Sequence, residues 1–165
     1  MDWTEFRTRL SRVIRDLDDR SFLIIRDGSS RAFVQFATRD DRVDAECISN
    51  ANPTLARPAD AAGELRLVEL GWTPYTPTDP NWATSVALPA TLDQTGRIAD
   101  MCITALHEVY DVASPDALTY KAWQDPEPER ASWDDDEPDE FGETPPPPDP
   151  GQNPLPLPDL GLAPE

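Results

Sequence analysis

Residues 107 to 111, His-Glu-Val-Tyr-Asp, place an imidazole and two carboxylates within one turn of a helix and superficially resemble the H-E-x-x-H zinc motif. Zinc hydrolysis needs a second neutral imidazole at the fifth position, where Asp111 stands, and His107 is the single histidine of the chain. His107 also lies beside the apolar stripe of its segment, so it reads as a surface histidine near a helix C-terminus. The two thiols, Cys47 and Cys102, fall on apolar faces of their segments, where cysteine behaves as a small core residue rather than a nucleophile. No G-x-S-x-G elbow and no glycine-rich phosphate cradle occurs, and the acidic run Asp134 to Glu137 lacks the glycine and ligand spacing of a calcium loop. These residues point to no catalytic, cofactor or metal site.

The pattern best suited to a function is instead one of recognition, in the block Arg31 to Asn50. It reads as two adjacent strands separated by Asp40-Asp41. On the first, Ala32, Val34 and Phe36 oppose Arg31, Phe33 and Gln35; on the second, Val43, Ala45 and Cys47 oppose Asp44, Glu46 and Ile48. Period-two alternation buries one face and leaves the other available. The available face carries the candidate peptide-binding residues: Phe33 and Ile48 for apolar contact, and Gln35, Asp44 and Glu46 for polar and charge selectivity toward a basic partner.

The surrounding elements must hold that face. Asp2 is placed to cap a first helix with Glu5 as capping-box partner, and Trp3, Phe6, Leu10, Val13, Ile14 and Leu17 recur at helical spacing. Arg7, Arg9, Arg12 and Arg15 lie on its outer side, as a solvated face or a basic patch. Ser21 to Arg26 is apolar on both faces, as a central strand is, and Asp27-Gly28-Ser29-Ser30 is a hairpin signal. A short second helix is expected from Pro58, with Leu65, Val68 and Leu70 before a Gly71 C-cap. Asn81 to Leu88 reads as a strand, and Ile98, Met101, Cys102, Ala105, Leu106 and Val109 mark a long core-facing helix from Thr91 that Ser114-Pro115 closes. Asp116 to Trp123 reads as a last short strand or a segment strapped across the core. Trp3, Trp72 and Trp82 are expected as core anchors. The order predicts an α+β fold, an antiparallel sheet with helices packed on one face.

Composition divides the chain unequally. It has 165 residues, 19 prolines and a formal charge of -18. From Gln124 onward, 13 acidic residues face one Arg and 12 of the prolines are found, so residues 1–123 are expected to fold and residues 124–165 to form a disordered acidic, proline-rich tail. Removing that tail is expected to leave domain stability almost unchanged. Within it, Pro145 to Pro148 and Pro154-Leu155-Pro156-Leu157-Pro158-Asp159-Leu160 favour polyproline II with alternating apolar side chains, a form that resembles a peptide ligand. The tail is therefore either a weak visitor to the domain's own peptide-binding surface or a solubiliser that like charge keeps away. The acidic balance disfavours nucleic acid. No apolar run reaches the ~20 residues of a membrane helix, and with no leader and two thiols the expected location is cytoplasmic.

Several short motifs together carry a family resemblance: the opening Trp-x-x-Phe helix, Phe33-Val34-Gln35-Phe36-Ala37, Ala45-Glu46-Cys47-Ile48-Ser49-Asn50, Leu70-Gly71-Trp72, Asn81-Trp82, and a final helix ending Glu108-Val109-Tyr110. Their order and spacing over residues 1–121 resemble the TY-Chap domains, bacterial relatives of type III secretion chaperones and of YbjN-like proteins. The resemblance implies a peptide-binding, chaperone-like module without enzymatic activity. Two other readings stand beside it: an acidic inhibitor or decoy for a basic protein, and a structural module using the same face as a homodimer interface.

Overall fold

The computed structural model describes residues 1–129 and 146–165. Helix α1 (Trp3–Asp16) starts where Asp2 accepts the Glu5 amide at 2.7 Å. Glu5 does not return the bond; its carboxylate takes Arg9 at 2.8 Å, since that guanidinium lies one turn along the same face. Strands β1 (Ser21–Asp27), β2 (Phe33–Arg39) and β3 (Arg42–Cys47) follow as an antiparallel meander. Helix α2 (Ala61–Leu70), β4 (Trp82–Ala87), α3 (Leu92–Thr104), β5 (Leu118–Gln124) and a two-residue β6 (Ala163–Pro164) complete the order. The sheet runs β4-β3-β2-β1-β5-β6, all neighbours antiparallel except β6, which lies parallel to β5. This is the expected α+β architecture with helices on one face.

Period-two patterning sets the burial. Leu23 and Ile25, Val34 and Phe36, Val43 and Ala45, and Tyr120 and Ala122 all turn to the helical side and are buried with Phe6, Leu10, Ile14, Ile98 and Met101. Helices α1 and α3 meet through a buried Ser11–Thr95 hydroxyl pair at 2.9 Å and the Arg7–Asp100 ion pair at 2.7 Å. Most of the arginine row on α1 is thereby occupied, because Arg9 also donates to the Asp159 carbonyl and Arg15 pairs with Asp16. Helix α3 begins in the Thr91–Gln94 capping box and widens into a π-helical turn over Ala105–Val109. The wider turn ends the helix at Tyr110, before Ser114, and leaves Val109 only half-buried; Ser114 instead caps the short 3-10 turn Pro115–Ala117. Tyr110 points inward and donates to the Ile48 carbonyl at 2.7 Å.

Helix α2 departs from the expected register. It starts after Asp60, whose carboxylate accepts the Gly63 amide, and not at Pro58. Leu67 is its one buried side chain, while Leu65 and Val68 are 58% and 47% exposed. Gly71 closes it at φ 107°, a left-handed conformation in which any Cβ is strained. Trp72 and Trp82 are buried anchors, Trp3 is half-buried against His107, and both thiols are free and buried.

The β1–β2 turn is organised by Asp27. Burial pushes its carboxyl up, but donors from the Ser30 hydroxyl and amide and from Ser29 outweigh that and hold it below the usual carboxylate range. A depressed folded pKa adds stability that is present above the unfolded value of ~3.9 and lost as pH falls through the folded one. Asp27→Asn is therefore expected to flatten the pH dependence of stability below about pH 4, read by urea unfolding at stepped pH.

The C-terminal region corrects the expectation of a disordered tail from Gln124. The acidic stretch Asp134 to Glu143 and Pro145 lie outside the described residues. Residues 146–165, however, return to the sheet: Gln152 and Gln124 exchange backbone bonds at 2.7 and 3.0 Å, and Leu160 is fully buried in the core. Proline removes backbone donors yet leaves the leucines between free to bury, so a segment rich in both can line an edge without forming a regular strand.

Candidate functional site

The face of the sheet turned away from α1 and α3 is built from the alternate residues of every long strand. Register places Gln35 opposite Glu46 and Ile24, Ala37 opposite Asp44 and Phe22, and Phe22 opposite Trp123. Phe22 and Trp123 stack with ring centroids 5.1 Å apart and 13° between planes. Cations border the pair: the Arg39 guanidinium lies 6.0 Å from the Phe22 ring centroid, and the Lys121 ammonium 5.7 Å from that of Trp123. Beyond β1 the Gln35 amide donates to the Glu46 carboxylate, and Asp44 pairs with Arg42 at 3.0 Å. Phe22, Trp123, Arg39, Gln35, Asp44 and Glu46, with Ile24 and Ala37, line a shallow concavity of about 440 Å³.

Three of the five sequence-predicted residues, Gln35, Asp44 and Glu46, come together there. Phe33 is on the same face at the far end of β2, opposite Arg26, and is half-buried. Ile48 is not on it. The β3 ladder ends at Cys47; Ile48 donates its amide to the Phe33 carbonyl at 3.1 Å as the chain turns into the Ser49–Asn52 bend, and its side chain is fully buried. Extending the strand period by one residue past the last ladder bond put Ile48 on the wrong side.

The site also has members that the sequence reading did not assign to it: Phe22, Ile24, Arg39, Lys121 and Trp123. A signal for the last two was present, since Leu118, Tyr120 and Ala122 alternate with Thr119, Lys121 and Trp123. Phe22 and Ile24 were hidden by a strand apolar on both faces, which carries no marker of which side is open.

Chemically the face offers aromatic and aliphatic area flanked by charges of both signs, the make-up of a surface that holds an extended chain. No group of three or more metal-ligating side chains occurs among the described residues. Burial pushes both thiols up, away from the thiolate that a nucleophile requires. His107 sits exposed at the end of α3, its Nδ1 2.9 Å from the Val112 carbonyl. No helix among the described residues is long and apolar enough to cross a membrane.

Residues 1–124 match the family TY-Chap3, described as T3SS (YopN, CesT) and YbjN peptide-binding chaperone 3, and the chain belongs to that family. No curated protein and no solved structure matches it.

Proposed function

We propose that this TY-Chap3 member is a non-enzymatic, chaperone-type adaptor of the cytoplasm that holds an extended segment of a partner protein across the open face of its sheet. The observation that carries the reading is the stacked, partly exposed Phe22–Trp123 pair beside the Gln35–Glu46 bridge, on a face that no helix among the described residues covers while the opposite face packs against the core. A half-exposed aromatic pair is poor material for a solvated surface and good material for a binding hot spot. Asp44 and Glu46 on the face, and the formal charge of -18 overall, favour a segment with basic residues next to its apolar anchors.

The test is a library of extended peptides carrying a photo-crosslinker, screened against the full chain. Trp123→Ala and Phe22→Ala are each expected to weaken the best binder about 10-fold or more, in line with ~2 kcal/mol for an aromatic hot spot. Cross-links should map to β1, β2 and β5. Binding that is unaffected by either substitution would overturn the assignment of the face. A stable dimer that buries Trp123 in the absence of peptide, and binds none, would replace the reading with a homodimer interface.

A further inference from the structure

The residues that define the family domain end at Gln124, yet the fully buried Leu160 lies outside them. Taken without residues 146–165, the domain has β5 as a sheet edge, with the carbonyls of Tyr120 and Ala122 and both backbone groups of Gln124 turned outward. An unpaired edge of this kind is a template for one more strand. Alongside it a cleft of about 670 Å³ lies between α1 (Glu5, Arg9, Arg12) and residues Pro156 to Asp159 of the C-terminal segment.

The C-terminal segment occupies the edge as a strand-adding ligand does, and forms one wall of the cleft. It runs antiparallel along the edge, pairing Gln152 with Gln124 and donating from Leu155 to the Ala122 carbonyl at 2.9 Å. Leu157 donates to the Tyr120 hydroxyl at 2.9 Å. The chain then turns at Pro158–Leu160 and returns as β6, where Glu165 donates to the Tyr120 carbonyl at 2.8 Å. Pro156 lies in the extended stretch between Leu155 and Leu157, both of which pack against the core, as does Leu162 beyond the turn. Its charge is matched despite the acidity of the whole chain: Asp149 meets Arg20 at 3.5 Å, Glu165 meets Arg26 at 3.8 Å, and Arg9 donates to the Asp159 carbonyl at 3.1 Å. Main-chain bonds along an edge, pockets for spaced leucines and complementary charge are the parts of recognition by strand addition.

We infer that the β5 edge and the adjoining flank of α1 form a second peptide-binding surface, specific for acidic segments with proline-spaced leucines, and that residues 150–165 are its tethered occupant, which such a segment of a partner must displace. The inference rests on the reading of the domain as a binder of extended peptides, but uses a different surface from the open face. Because the occupant belongs to the same chain, it competes at the high effective concentration of an intramolecular ligand.

A labelled synthetic peptide of residues 150–165 tests this against the full chain in three forms. Leu160→Glu removes the buried anchor from the tethered copy without altering the groove. Gly151→Ala acts independently, since Gly151 has φ +72° and an added Cβ lies 2.4 Å from the Gln124 carbonyl oxygen. The peptide is expected to bind both variants about 10-fold or more tightly than the wild type, a factor set by tethered competition. The same peptide carrying Leu160→Glu should bind none of them. Amide exchange at Leu155 and Glu165, protected in the wild type, verifies release of the tethered copy. Equal affinity for all three forms overturns the inference, as does absence of binding to a variant in which those amides are released. If library peptides still cross-link to β1 and β2 in that case, the open-face reading survives; if they do not, it fails separately.

Discussion

Phe36→Ala is expected to lower the unfolding free energy by about 3 to 5 kcal/mol, among the largest single effects available in this fold. Phe36 lies at the middle of β2, 2% exposed, paired with Leu23 on one side and Ala45 on the other, and turned into the layer beneath α1 and α3. Truncation leaves a cavity bounded by secondary structure on both sides, where relaxation is limited. Phe33, three residues earlier on the opposite face, is half-buried, and its alanine variant should cost about 1 kcal/mol, the lost transfer energy of a partly exposed ring with little cavity. Urea unfolding of both variants decides the matter. A Phe33→Ala loss equal to that of Phe36→Ala would mean that the supposedly open face is covered.

The second large effect is at Leu160, where replacement by alanine should cost about 2 to 5 kcal/mol, as for other fully buried leucines. Truncating the chain after Glu129 should destabilise by at least as much, because it also removes the backbone pairs to Gln124, Ala122 and Tyr120. Composition alone leads to the opposite expectation, an almost unchanged transition. The disagreement is measurable as a shift in denaturation midpoint between the full and truncated chains. An unchanged midpoint would show that residues 146–165 contribute nothing to the folded state.

Much of the fold is legible in short stretches. The α1 stripe from Phe6 to Ile14, the turn at Asp27, the alternation of β2 and β3 and the Gly71 cap each follow from local rules, because the repeat of an element assigns every residue to a face without reference to distant residues. Gln35, Asp44 and Glu46 were found in that way. The same rule failed at Ile48, since a repeat does not say where a ladder ends, and in α2, where the helix start and the neighbour it packs on moved Leu65 and Val68 to the surface.

What the sequence by itself determined is therefore the order of the helices and strands up to β5, the inward and outward faces of β2 and β3, and the family resemblance over the N-terminal three-quarters. Tertiary structure alone decided that β5 lies beside β1, which brings Trp123 onto Phe22 and completes the candidate site. It alone decided that Leu160 reaches the core. Both outcomes depend on non-local pairing: Phe22 and Trp123 meet because β5 takes the β1 edge left open by the meander, and Tyr120 and Glu165 meet because β5 is then the edge that remains. Proline content and net charge are averages over a segment and carry no information about such an edge, so a few leucines and backbone donors with matched partners outweighed them.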